Sequence, residues 1–306
     1  MMKKREVYRF FTEILRCELT GEKLPPEIAA KINGETAEKL YTLSGKHDLT
    51  HVVCFSLLKN GVKIPADLKQ KFKRAYLSQT VLSERQSYDL SVIEKALEEE
   101  KIPFVFLKGS SLKNLYPYPD LRPTRDIDVL VKKEDFDSAY KKLLKVFDGK
   151  EHLKGVYDVS FTTFSGENIE LHFSLIREEG EENEIISHVW DYTLPCEGYK
   201  KEFAPEFSLV YLMYHAAGHF KAGGCGVKPL LDFYIMSEQK DYDAEKVAEL
   251  AEKAGLGKFT EYISALSDVW FRGKKAEGQD AEILSYLEEY IMSGGSFGTL
   301  KNAVII

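Results

Sequence analysis

Asp126 and Asp128, two carboxylates separated by one isoleucine in "DIDVLV", are the residues of this 306-residue chain whose spacing most directly suggests chemistry. On a strand, residues i and i+2 project to one face, so both acids stand together while Ile127, Val129 and Val131 turn the other way. Like charges that close repel, and a hard divalent cation relieves the repulsion. Mg²⁺ or Mn²⁺ accepts carboxylate oxygens and takes phosphate oxygens alongside them. Ion pairs to Arg122 and Arg125, or a strand edge facing water, would accommodate the same two acids. A third acid, Glu170, alternates with Ile169 and Leu171 in "NIELHF". From a second strand it could complete a three-acid site; standing alone, it is a polar residue on the wet face of a hairpin.

Upstream, an apolar run ends in Lys108-Gly109-Ser110-Ser111. Glycine permits close backbone approach, and a helix start offers unpaired N–H groups to a phosphate, with Ser110 or Ser111 placed to cap it. It is no Walker loop, since G-x-x-x-x-G-K-[ST] is absent. His172 shares the face of Glu170, where it would neighbour a metal, handle a proton or simply be hydrogen-bonded in the hairpin. His215 and His219, at i and i+4, share one helix face. That spacing suits zinc, but Ala216, Ala217 and Gly218 leave out the zinc-protease glutamate, so a structural or substrate-lining role fits better. Asp232, in "LLDF", either orients one of these histidines or closes a packing seam.

Elements of three textures must position these groups. Residues 1–100 read as helices: "EVYRFFTEILRCEL" and "DLTHVVCFSLLKNG" carry apolar residues at helical spacing. Pro65 to Glu100 is one long amphipathic helix or two shorter ones. Residues 101–200 are mixed. Phe104 to Leu107 is a buried strand, "PYPDLRPTR" a proline loop, "DIDVLVK" a strand, and "KEDFDSAYKKLLKVF" an amphipathic helix. "VYDVSFTTF", the turn "SGEN" and "IELHFSLI" form a hairpin. Residues 201–306 return to helices, with "GGCG" at 223–226 as a flexible loop and a glycine-rich, then apolar, tail.

Composition sets the bounds. Apolar residues at 44% and charged residues at 30% suit a packed globular chain. A net charge of −7 supplies no basic field to recruit a long nucleic acid. Four scattered cysteines without a C-x-x-C pair suggest neither a zinc ribbon nor a disulfide framework, and fit a reducing cytoplasm. Arg9, Thr12, Glu13 and Arg16 interrupt the apolar run near the start, so no signal peptide is expected. No stretch is long and apolar enough to suggest a membrane span.

Taken together, Leu107-Lys108-Gly109-Ser110, Asp126-Ile127-Asp128-Val129 and Ile169-Glu170-Leu171 resemble the nucleotidyltransferase superfamily of DNA polymerase β. Its signature is an h-G-[GS] turn, a D-h-[DE]-h strand and a third acid on a later strand. "LKG", "YP", "RDIDVLV" and "IELHF", with "YHAAGHF" and "LLDF" downstream, look most like its uncharacterised bacterial nucleotidyltransferase family. The resemblance implies an α+β fold: a polymerase β-like nucleotidyltransferase core of mixed sheet and helices, flanked by N- and C-terminal helical regions.

It also implies two-metal transfer of a nucleoside monophosphate from an NTP to a hydroxyl. Asp126 and Asp128 would bridge the Mg²⁺ or Mn²⁺ ions, and Glu170 would ligate the ion that lowers the acceptor hydroxyl's pKa. Ser110 and the Gly109 backbone would hold the β,γ-phosphates, with Lys108, Arg122 and Arg125 as phosphate partners. His172, His215, His219 and Asp232 become candidates for the acceptor pocket, and the acceptor is expected to be a small molecule or a protein side chain. Two departures stand out. Residues 111–125 form a longer spacer than the superfamily's, so the proline loop must bulge away or cover the nucleotide. Lys108 replaces an apolar residue. The rival readings are a catalytically silent nucleotide-binding module and an RNA-modifying enzyme. The latter needs a basic track, for which only Lys69 to Arg74 is dense enough.

Overall fold

The apolar runs and alternating stretches become strands, and the computed structural model, which describes residues 4–176, 183–239, 241–296 and 298, joins seven into a mixed sheet. They are β1 (Phe104–Phe106), β2 (Asp126–Val131), β3 (Lys150–Lys154), β4 (Asp158–Thr162), β5 (Asn168–His172), β6 (Thr193–Pro195) and β7 (Lys200–Phe203), in the order β3-β4-β5-β2-β1-β7-β6. β2 pairs parallel with β5 and β1 parallel with β7; the remaining neighbours are antiparallel. β1, β2 and the β4–β5 hairpin lie where their patterns predict. β3, β6 and β7 do not announce themselves. "KEHLK", "TLP" and "KKEF" are at or next to the sheet's edges and contain no buried residue, so no apolar alternation marks them.

Residues 66 to 99 form one helix of 34 residues, as the absence of internal glycine and proline allows. Its last turns lay Ile93 and Leu97 on one face of the sheet, against Ile127, Val129, Val131, Ile169 and Leu171. The helix Phe136–Phe147 covers the same face through Ala139, Leu143 and Phe147, spaced four residues apart. The opposite face contributes Val105, Leu107 and Leu130 to a second core, built from both helical regions. Phe10, Phe11 and Leu40 are buried in one cluster with Phe207, Val210, Ile263 and Ile291. The architecture is thus α+β with helical flanks, and those flanks share a core. No helix among the described residues is long and apolar enough to cross a membrane. The tail from 299 onward lies outside the described residues.

One buried group in the shared core makes stability depend on pH. His47 follows the helix Gly34–Lys46, is fully buried and stacks on Phe11 with ring centroids 5.6 Å apart. No well-formed hydrogen bond reaches either ring nitrogen. Burial pushes the imidazole down to about 4, and the Met292 backbone opposes this only in part. An unfolded histidine titrates near ~6.5, so the neutral ring favours the fold fully above that pH. That contribution is lost as pH falls from about 6.5 toward 4, and a shift of this size is worth about 3 kcal/mol. Urea midpoints measured across that window should fall steeply for wild type and less steeply for His47→Leu. Equal slopes would remove His47 from the account.

Candidate active site

The parallel pairing of β2 with β5 sets Asp126 beside Asn168, Asp128 beside Glu170 and Leu130 beside His172. The pleat sends all of these side chains to the face opposite Ile127 and Val129. One ligand atom each of Asp128, Glu170 and His172 lies within 4.8 Å of the others. His172 Nε2 is 3.2 Å from Asp128 Oδ1 and 3.7 Å from Glu170 Oε2. Asp126 is half-buried at the rim, where its Oδ1 accepts a 2.9 Å hydrogen bond from Asn168 Nδ2.

The turn after β1 brings a cation to the same point. Leu107 N–H donates to the Asp128 carbonyl at 3.0 Å, which prolongs the β1–β2 pairing by one residue. The chain then turns at Lys108, whose φ of 52° and ψ of −129° are a conformation that lysine rarely adopts. Its Nζ reaches Asp128 Oδ1 at 2.7 Å. Helix Gly109–Leu112 therefore begins one residue before Ser110 and two before Ser111, the two expected caps. Ser110 and Ser111 lie inside the turn, and the residue preceding it makes no side-chain cap. Ser110 is buried with a hydroxyl that has no hydrogen-bond partner.

Gly109 is required by packing. A Cβ there would lie 2.9 Å from Thr124 Cβ and 3.1 Å from Arg122 Nη1. Gly109→Ala should lower unfolding free energy by about 1–3 kcal/mol, as overpacking does, and chemical denaturation measures it. A stability equal to wild type would mean that the turn has slack.

Electrostatics sort the acids. Burial would raise the Asp128 carboxyl, but Lys108 and His172 outweigh it and hold the group well below the usual carboxylate range. Burial also opposes the Lys108 charge, and Asp128 more than compensates, so its ammonium is held above the ordinary lysine value. For Glu170 the balance reverses: burial and the Asp128 charge outweigh the help of Lys108 and His172 and push it up to about 7. A site holding one acid more than its cations satisfy, with oxygen and imidazole ligand atoms converging, fits a divalent cation.

The remaining predicted residues divide. Arg122 is buried and spent on Asp232, with Nε to Oδ1 at 2.7 Å and Nη2 to Oδ2 at 2.8 Å. Its Nη1 donates to the Pro123 carbonyl, and Tyr116 OH donates to Asp232 Oδ1 at 2.6 Å. Asp232 therefore pins the proline loop to the helix Lys228–Ser237 and makes no hydrogen bond to a histidine among those described. Arg125 is exposed at the mouth of a cavity and pairs with Asp48. His215 and His219 bring Nε2 atoms to 2.9 Å of each other on the helix Pro205–Lys221, so one ring donates to the other. Among the described residues, no third metal ligand joins them.

All twelve predicted residues except Ser110 line one cavity of about 610 Å³, between the acid-bearing face of the sheet and the helices Pro205–Lys221 and Lys228–Ser237. Its lining also includes Asp48, Asp158, Tyr211 and Lys228, which no sequence pattern singled out. Asp158 was hidden by the hairpin's ordinary polar alternation. Lys228 stands four residues before Asp232, a helical spacing that could have drawn attention to it.

The profile of the family described as uncharacterised nucleotidyltransferase matches residues 33–272. No match is found among curated proteins. Among solved structures, the solution structure of the antibiotic-resistance factor ANT(2'')-Ia superposes with a TM-score of 0.43 and 15% identity, over 61% of this chain and 97% of that one.

Proposed function

Because this chain belongs to the uncharacterised nucleotidyltransferase family, we propose that it transfers a nucleoside monophosphate from an NTP to a hydroxyl acceptor. The observation that carries this reading is the convergence of Asp128, Glu170 and His172 within 4.8 Å on the wall of a cavity large enough for a nucleotide. Asp126, Asp128 and Glu170 are the residues that would hold Mg²⁺ or Mn²⁺. A divalent cation bound there would neutralise triphosphate charge and acidify the acceptor hydroxyl.

The chain's own groups do the rest. The Gly109 backbone lines the cavity where no side chain fits, and the Ser110 hydroxyl next to it, buried without a partner behind that wall, would have to turn toward the cavity to donate to a phosphate oxygen. Lys108 and Arg125 supply fixed positive charge toward anionic oxygens. The acceptor oxygen attacks the α-phosphorus, the bond to the bridging oxygen of the β-phosphate breaks, and pyrophosphate leaves. The helix Pro205–Lys221 lines the cavity with Tyr211 and His215, polar groups that support assigning this wall to the acceptor. A small molecule or protein side chain suits a half-open cavity in a chain of net charge −7.

The test is incubation with each α-labelled NTP and a cell extract, in Mg²⁺ and in EDTA. Label should enter a small molecule or a protein in Mg²⁺ alone. Labelled RNA would favour the RNA-modifying reading, and NTP binding without labelling of any fraction would favour the silent module.

A further inference from the structure

At the mouth of the cavity, two cations converge on one carboxylate that comes from the N-terminal helical region. Arg125, just before the first aspartate, is 57% exposed and bonds Asp48 through Nη2 and Nε. Lys228, at the start of the helix Lys228–Ser237, is only 15% exposed and sets its Nζ 3.3 Å from Asp48 Oδ2. All three side chains line the cavity that holds Lys108, Asp126 and Asp128. Burial and the neighbouring Arg122 charge push Lys228 down to about 8, and Asp48 offsets this only in part. Asp48 itself has a φ of 60°, in the left-handed region where non-glycine residues are uncommon and tend to mark functional sites.

We propose that Arg125 and Lys228 form an anion subsite for the phosphate tail of the nucleotide, and that Asp48 occupies it when no nucleotide is bound. The idea rests on the nucleotidyl-transfer reading and adds to it a phosphate partner from the C-terminal helices and an internal competitor from the N-terminal ones. A carboxylate and a phosphate oxygen offer the same chemistry to an ammonium and a guanidinium. Exchange of one for the other keeps the buried Lys228 charge compensated throughout, which a buried ion requires. The same cavity carries the acids that would hold a divalent cation, so its lining as a whole complements a metal-bound polyphosphate.

The experiment is calorimetric titration of the whole chain with inorganic tripolyphosphate, in Mg²⁺ at fixed ionic strength. It compares wild type with Asp48→Asn, Lys228→Met and the double variant. Tripolyphosphate carries no nucleoside, so it reports the subsite whether or not transfer occurs. Asparagine keeps the shape and the backbone tolerance of Asp48 while removing its charge, so binding should tighten roughly fivefold, the worth of one partly exposed ion pair. Lys228→Met should weaken binding about tenfold or more, as loss of a charge-assisted contact does, and should suppress the gain from Asp48→Asn.

Unchanged or weaker binding by a folded Asp48→Asn overturns the proposal. So does unchanged binding by Lys228→Met, or no heat from either wild type or Asp48→Asn. Should Lys228→Met fail to fold, Asp48→Asn decides alone. Tightening by Asp48→Asn in a protein that labels no acceptor would reject the transfer reading and leave the subsite standing.

Discussion

Glu170→Gln should abolish nucleotidyl transfer while NTP binding largely survives. Glutamine keeps the shape of the side chain on β5, whose register with Asp128 is fixed by backbone pairing. What disappears is the acid for which burial and Asp128 outweigh the local cations, held up to about 7. In the proposed mechanism that charge serves the acceptor hydroxyl. Under the same proposal Asp126, Asp128, Lys108 and Arg125 would hold the triphosphate instead. Loss of a positioned acid–base group removes ~10²–10⁴-fold of rate, so single-turnover transfer should fall at least that far. Calorimetric titration with NTP and Mg²⁺ supplies the binding half of the test. Equal transfer by wild type and variant would take Glu170 out of the mechanism.

Asp232→Ala should be among the most destabilising single substitutions outside the apolar core. It leaves the Arg122 guanidinium buried without its bidentate partner and strips the Tyr116 hydroxyl of its acceptor. Breaking a buried pair from one side costs about 3–5 kcal/mol, because the remaining charge is uncompensated. Removing both charges, as in Arg122→Met with Asp232→Leu, should recover much of the loss. Urea unfolding of the two variants measures this. A single variant within about 1 kcal/mol of wild type, the range of a surface pair, would show that water reaches Arg122 after all.

The acids were legible in the sequence because strand parity is a local property. Asp126 and Asp128 alternate with Ile127 and Val129, Glu170 and His172 alternate with Ile169 and Leu171, and burial of those apolar partners fixes where the polar ones point. What joins the two sets, parallel pairing between β2 and β5, is tertiary, and the sequence could only suggest it by resemblance. Arg122 and Arg125 look interchangeable as text. Their different fates depend on carboxylates 110 and 77 residues away. The serine cap was misplaced for a related reason: the helix starts where the β1–β2 pairing releases the chain, and a hydrogen bond from Leu107 to Asp128 sets that point. Asp48 carried no signal at all, since nothing nearby marks it as part of a cavity that β2 and the C-terminal helices enclose.

The core shared by the two helical regions also governs the order in which the molecule can be made. Synthesis delivers Phe10, Phe11 and Leu40 first, then the whole sheet, and only last Ile263 and Ile291, which close the same cluster. On the ribosome, the first hundred residues must therefore keep apolar faces uncovered while nearly two hundred more are added. The sheet can pair its strands and gather its acids in the meantime, but the wall bearing Tyr211, His215 and Lys228 is absent until late. A nascent chain at that stage holds the acids of β2 and β5 with no cavity around them. The cavity proposed to take the nucleotide is therefore complete only after the helix Lys228–Ser237 has been made, and until then the N-terminal helices keep part of their apolar surface uncovered.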